Sequence, residues 1–156
     1  MVLSSLTRTR DNRAVSAAGR SESENVRLLA RMYAAWDAED LAAVLALLDP
    51  EFEWVNPSYA VHPGTRRGHD GMEKVMENLR ESFEHQTRVL GEVEELPGDR
   101  VLWHTIFCAR GRDSGAQIEV EEQHLWTLRN GKIVRIQWFH DVDEARRAAG
   151  LDGSGQ

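Results

Sequence analysis

The sequence holds one cysteine, Cys108, among 156 residues. A lone thiol makes no internal disulfide and no cysteine-based zinc site, so nothing here calls for an oxidising compartment. No stretch approaches the ~20 consecutive apolar residues that span a bilayer. The opening MVLSSLTRTRDNRAVSAAGR lacks the unbroken apolar centre of a secretory signal. A cytoplasmic chain without membrane partners is expected. Basic charge is also in short supply: 19 Lys and Arg stand against 26 Asp and Glu, a formal charge of -7. That balance opposes the counterion release behind nucleic-acid binding, so no nucleic-acid partner is expected. The six histidines, at positions 62, 69, 85, 104, 124 and 140, form none of the close helical or strand pairs that seed a metal site. Glycines 64, 68 and 71 lack the Lys and Ser/Thr of a phosphate loop. Neither metal nor cofactor is implied.

With 41% apolar and 29% charged residues, the chain fits one domain with a real core. That domain is expected over 21–150. The Arg- and Ser-rich segment 1–20 reads as a disordered tail, with an organelle transit peptide as the alternative, and 151–156 reads as frayed. Order is expected to begin at Ser21, a cap that Glu24 reciprocates. Val26, Leu29, Ala30, Tyr33 and Trp36 recur at helical spacing, widened by Leu28, Met32 and Ala35. The run LAAVLALL makes a short second helix closed by Asp49-Pro50. Phe52, Trp54 and Asn56 then alternate with Glu51, Glu53 and Val55, the rhythm of a half-buried strand that stops at Pro57.

The segment PSYAVHPGTRRG reads as a loop, and Asp70 with Glu73 as a second capping pair, ahead of Met72, Val75, Met76, Leu79 and Phe83 on a third helix. Strands are expected over Val89–Leu96, Val101–Arg110, Gln117–Leu128 and Ile133–His140, with a short helix over Asp143–Ala149. Strands joined by such short turns pair antiparallel, and helices grouped together cover one sheet face. The class is α+β.

The last hairpin sets the inside face. Ile118, Val120, His124, Trp126 and Leu128 share a side with Glu122, and Val134, Ile136, Trp138 and His140 are the apolar set after the turn. A two-residue loop pairs the first set with Arg135 and Gln137. A three-residue loop, Arg129-Asn130-Gly131, with a bulge at Gly131 joins the apolar sets, and it is the expected form. Glu122 and His124 then stand among large apolar groups, where polar side chains persist when paired or when they meet a ligand. An unbroken pleat turns His140 inward and Asp141 outward; a bulge near Phe139 reverses them, and the sequence leaves both open.

Three stretches carry a family resemblance: ARMYAAWDAEDLAAVLALLDPEFEWVNP, Gly68-His69-Asp70-Gly71 and QHLWTLRNGKIVRIQWFHD. From about Asn25 to Gly150 the chain resembles the SnoaL-like polyketide cyclases, of the cone-shaped fold named after nuclear transport factor 2. The resemblance implies three N-terminal helices packed on a strongly bent, mainly antiparallel sheet that encloses a pocket. It implies that Trp36, Asn56 and His124 line that pocket. Trp138 stands where the cyclases carry their acid–base Asp. Asp141 matches the end-of-strand Asp of the related limonene epoxide hydrolases, whose companion Arg-x-Asp pair is absent from Val101–Arg110. Asn56 occupies the place of the ketosteroid isomerase base, and an amide takes no proton.

A small hydrophobic molecule is the expected partner, with Trp36, Trp54, Asn56, Tyr59, Trp126, Trp138 and His140 around it. His124, with Glu122 or Asp141, is the candidate proton-transfer pair. Three functions compete: an acid–base lyase, isomerase or hydrolase, a non-catalytic binder, and a protein-interaction module. A homodimer is expected through the outward sheet face, where Leu125, Ile133 and Phe139 need cover.

Overall fold

The computed structural model describes residues 20–151. The tails expected over 1–20 and 151–156 lie, apart from Arg20 and Leu151, outside the described residues. Helix α1 spans Arg20–Asp37, so Ser21 stands inside the helix and not at its cap. Leu29, Met32, Tyr33 and Trp36 keep the i, i+3, i+4, i+7 spacing of one face, and all are buried. Ala30, about 100° further round, is exposed. Helix α2, Leu41–Leu47, is capped by Asp40, whose carboxylate accepts from the Ala43 amide. It ends before Asp49-Pro50, as the proline requires.

Strand β1 is Leu48–Asn56 and β2 is Gly64–Arg67. The expected loop PSYAVHPGTRRG thus ends in a strand, whose Thr65, Arg66 and Arg67 pair antiparallel with β1. Helix α3 runs over Gly68–Ser82. It starts two residues before the expected Asp70 cap, with no side chain capping it, and Asp70 instead sits in the first turn against the helix dipole. Phe83 belongs to β3, Phe83–Leu96, which is longer than the expected Val89–Leu96. Strands β4 (Arg100–Gly111), β5 (Gln117–Arg129) and β6 (Lys132–Phe139) follow, and then α4, Val142–Ala148. Three helices therefore precede the long strands, and a fourth closes the described chain.

The strands form one curved mixed sheet in the order β2-β1-β6-β5-β4-β3. Every neighbouring pair is antiparallel except β1 and β6, which run parallel with Trp54 beside Ile136. Bulges interrupt the β3–β4 ladder after Glu84 and after Leu90, and bulges bend and twist a strand.

The last hairpin corrects the expected turn. Asn130 and Gly131 both have positive φ, 53° and 75°, which makes a two-residue loop of the type that Asn-Gly favours. Arg129 faces Lys132 and Leu128 faces Ile133, yet Thr127 faces Arg135, so Val134 is the extra residue. The bulge lies inside β6 and not in the turn. The apolar faces still meet, Trp126 against Ile136 and His124 against Trp138, but Ile133 takes the buried place expected of Val134.

The main core lies between α1, α2, α3 and the inner sheet face, with Leu29, Met32, Val44, Phe52, Met72 and Trp126 at its centre. A second cluster on the outer face joins Leu96, Leu102, Leu125 and Phe139 to Ala145 and Ala149 under α4. Leu125, Ile133 and Phe139, the residues for which a second copy was expected, are all covered within the chain.

Candidate functional site

The side-chain alternation of β5 puts Glu122, His124 and Trp126 on the inner face, opposite Thr105, Trp103 and Val101 of β4. α1 contributes Tyr33 and Trp36 one turn apart, and β1 contributes Trp54 and Asn56. Between these elements lies a cavity of about 290 Å³ lined by Trp36, Trp54, Asn56, Glu122, His124 and Trp138 among others. That is near the lower end, about 300 Å³, for organic-ligand pockets. A separate depression of about 280 Å³ beside α3 has walls of Asp70, Glu73, Lys74, Glu77 and Arg80 with Leu41 and Met76; it lacks the aromatic walls and inward polar pair of the first.

A hydrogen-bond chain ends at Glu122. Trp126 Nε1 donates to the Tyr33 hydroxyl at 2.9 Å, Tyr33 meets His124 Nδ1 at 2.7 Å, and His124 Nε2 meets Glu122 Oε1 at 2.9 Å. An indole only donates, so the Tyr33 oxygen accepts from Trp126 and its hydrogen goes to His124 Nδ1. This assigns His124 as the neutral tautomer carrying its hydrogen on Nε2, which it gives to the carboxylate. Burial holds the Tyr33 hydroxyl well above its ordinary pKa, against a smaller lowering from Trp126. Both His124 nitrogens are engaged, and its side chain is 1% exposed against 19% for Glu122. Glu122 is the more accessible member.

Asn56 acts on the tryptophans. Its Oδ1 accepts from Trp54 Nε1 at 2.8 Å and from Trp138 Nε1 at 2.9 Å, and its Nδ2 donates to Gly64 O at 3.1 Å. Both lone pairs of Oδ1 are taken. Trp103 Nε1 donates to Gly91 O, which leaves Trp36 Nε1 as the buried indole nitrogen without an acceptor among the described residues.

Of the other expected site residues, Trp126 is fully buried beneath the cavity as the start of the chain to Tyr33. Tyr59, 49% exposed, accepts from the His140 amide and donates to Glu144, with its ring 5.6 Å from that of His140. Asp141 caps α4 by accepting from the Asp143 amide. Tyr59, His140 and Asp141 are thus gathered at the start of α4, with the His140 ring 5.2 Å from that of Trp138 in the cavity wall. The capping bond gives Asp141 a local structural partner.

Two partners of the site were missed. Tyr33 is the one hydroxyl in the apolar stripe of α1. Arg88, with a side chain 2% exposed, also lines the cavity. Its backbone amide and Nη1 both meet the Asp37 carboxylate, at 3.1 and 2.8 Å, and its guanidinium carbon lies 3.7 Å from the centre of the Trp36 ring. Burial lowers its pKa, and the Asp37 contact opposes that shift. Gln86, Arg88 and Leu90 share the inner face of β3, a signal hidden by starting that strand at Val89.

The described residues contain no group of three or more His, Cys, Asp or Glu placed to hold a metal, and no helix long and apolar enough to cross a membrane. The family model for the SnoaL-like domain matches residues 29–136. The chain belongs to the SnoaL-like domain family, with the nuclear transport factor 2-like fold that the sequence resemblance implied. A nuclear transport factor 2-like protein of Burkholderia thailandensis is 29% identical, at a TM-score of 0.66, over 80% of this chain and 95% of its own. One of unknown function from Burkholderia pseudomallei is 24% identical, at 0.68, over 81% and 97%. A protein of Jannaschia described as a candidate SnoaL-like polyketide cyclase is 21% identical, at 0.66, over 83% and 92%. No curated protein matches the sequence.

Proposed function

We propose that the chain binds a small, mainly apolar organic molecule in the cavity between α1, α3 and the inner sheet face. The observation that carries this reading is one space walled by three indoles, Trp36, Trp54 and Trp138, with the Glu122–His124 pair in its wall. Apolar walls with a few convergent polar groups are the general form of such sites. Val120 also lines the cavity and takes no part in the hydrogen-bond chain, so Val120→Phe fills the space without touching the polar groups. Titration of intrinsic tryptophan fluorescence with naphthalene tests the proposal. Saturable quenching by the wild-type protein, lost in a folded Val120→Phe variant, is expected. Quenching that Val120→Phe leaves unchanged, or none at all, overturns the reading.

The chain from Trp126 through Tyr33 and His124 favours a second reading, in which Glu122 accepts a proton from the bound molecule. A carboxylate held by a neutral imidazole is a fitting general base. Deuterium uptake by 2-tetralone in D₂O, followed by proton NMR, checks it. Faster exchange with the wild-type protein and buffer-level exchange with Glu122→Gln are expected; equal rates with and without protein count against proton transfer.

A further inference from the structure

Two guanidiniums, Arg66 and Arg88, and one carboxylate, Glu122, line the cavity beside the imidazoles of His62 and His124. Arg88 is matched from behind by Asp37 at 2.8 Å, and Glu122 receives the His124 hydrogen at 2.9 Å. Arg67, next in sequence, is matched by Glu53. Of these three arginines Arg66 alone has neither an ion pair nor a side-chain hydrogen bond among the described residues. It is half-buried, and its place opposite Trp54 in the β1–β2 ladder puts it on the inner face.

Arg66 and Glu122 do not serve one another. Strand β2 is separated from β5 by β1 and β6, three inter-strand steps of about 4.8 Å each. The two charges therefore mark different ends of the space. Glu122 lies beside the fully buried His124 and Tyr33. Arg66 lies at the end where the exposed residues Val61 and His62, from the segment that joins β1 to β2, also line the space, which is the mouth. An amide, Asn78, lines the cavity too. The walls between are aromatic and apolar.

We infer that the ligand is an amphipathic organic acid, whose carboxylate pairs with Arg66 at the mouth while its apolar body lies against Trp36, Trp54 and Trp138. Guanidinium matches a carboxylate by a planar two-bond geometry, and a half-buried site strengthens that pairing over one in open water. The overall charge of -7 repels organic anions generally, so the guanidinium of Arg66 in the cavity wall marks the place where one is accepted. This inference rests on the cavity being a ligand site.

Three probes of one shape and different head charge test it on the full chain: 4-phenylbutyrate, 4-phenylbutanamide and 4-phenylbutylamine, titrated against tryptophan fluorescence at neutral pH and low salt. At least tenfold tighter binding of the butyrate than of the amide is expected, with the amine weakest. Arg66→Gln should bring the butyrate down to the amide and leave the amide unchanged. Arg67→Gln, on the opposite sheet face, should leave the preference intact. Arg66 holds no partner among the described residues, so its loss spares the fold; the wild-type series decides the question even without the variant. An amide that binds as tightly as the butyrate, an amine that binds best, or a preference that survives Arg66→Gln overturns the inference and leaves the apolar pocket standing. Binding of none of the three removes the pocket reading as well.

Discussion

His124 Nε2 lies 2.9 Å from Glu122 Oε1, two residues back along the same strand. Residues i and i+2 of a strand point to the same face, so this contact follows from the sequence spacing alone. Its far side does not, because Tyr33 approaches His124 from a helix 91 positions away. The imidazole joins the Tyr33 hydroxyl of the helix to the Glu122 carboxylate of the strand.

His124→Phe therefore leaves the buried Tyr33 hydroxyl without an acceptor and Glu122 without its donor. The buried hydroxyl costs about 1–3 kcal/mol and the partly exposed carboxylate less, so a loss of about 1–4 kcal/mol is expected. Urea denaturation measures it. Adding Tyr33→Phe should recover part of the loss, and a near-neutral single variant would contradict the chain.

Tyr33 also predicts an alkaline limb. Burial raises its folded-state pKa well above the ordinary 10.0, so the unfolded chain loses this proton first. The contribution is fully present below pH 10 and falls as pH rises from there towards the folded-state value, by up to about 1.4 kcal/mol per pH unit. Urea midpoints from pH 9 to pH 11 should fall more steeply for the wild type than for Tyr33→Phe. Parallel curves would refute it.

The Arg88–Asp37 pair is asymmetric, with the Arg88 side chain 2% exposed and that of Asp37 27% exposed. Asp37→Asn strands a buried cation, while Arg88→Met strands a carboxylate that water reaches. We expect the first to cost more, about 3–5 kcal/mol, and the second less. The reverse order in chemical denaturation would mean that Arg88 is matched elsewhere.

Asn56→Ala frees two indole hydrogens together. A cost of about 1–3 kcal/mol and a changed near-ultraviolet circular dichroism spectrum are expected, because Trp54 and Trp138 both lose their anchor. Unchanged aromatic bands would show that the rings are held by packing alone.

Helices and strands with strong periodicity were legible. The stripe from Leu29 to Trp36, the alternation of Phe52 and Trp54, and the inward pairing of Glu122 with His124 all stand in the sequence. Pairings set by distant elements were not: nothing near Gly64–Arg67 signals a strand, since β2 exists by pairing with β1. The parallel contact of β1 with β6 arises only after the chain has crossed the sheet. In the last hairpin the choice between faces was legible and the place of the bulge was not. Asn130-Gly131 makes so good a two-residue turn that the extra residue moved to Val134. Asp141, expected as a proton-transfer group, also caps the last helix, a role its strand-end position did not signal.

The unmatched Trp36 Nε1 also makes the chain its own spectroscopic gauge. Of its five tryptophans, four give their indole hydrogen to an oxygen. A ¹⁵N-labelled sample should accordingly show one indole cross-peak set upfield in the proton dimension from the other four, since hydrogen bonding deshields the donor proton. That single peak reports directly on the wall of the cavity.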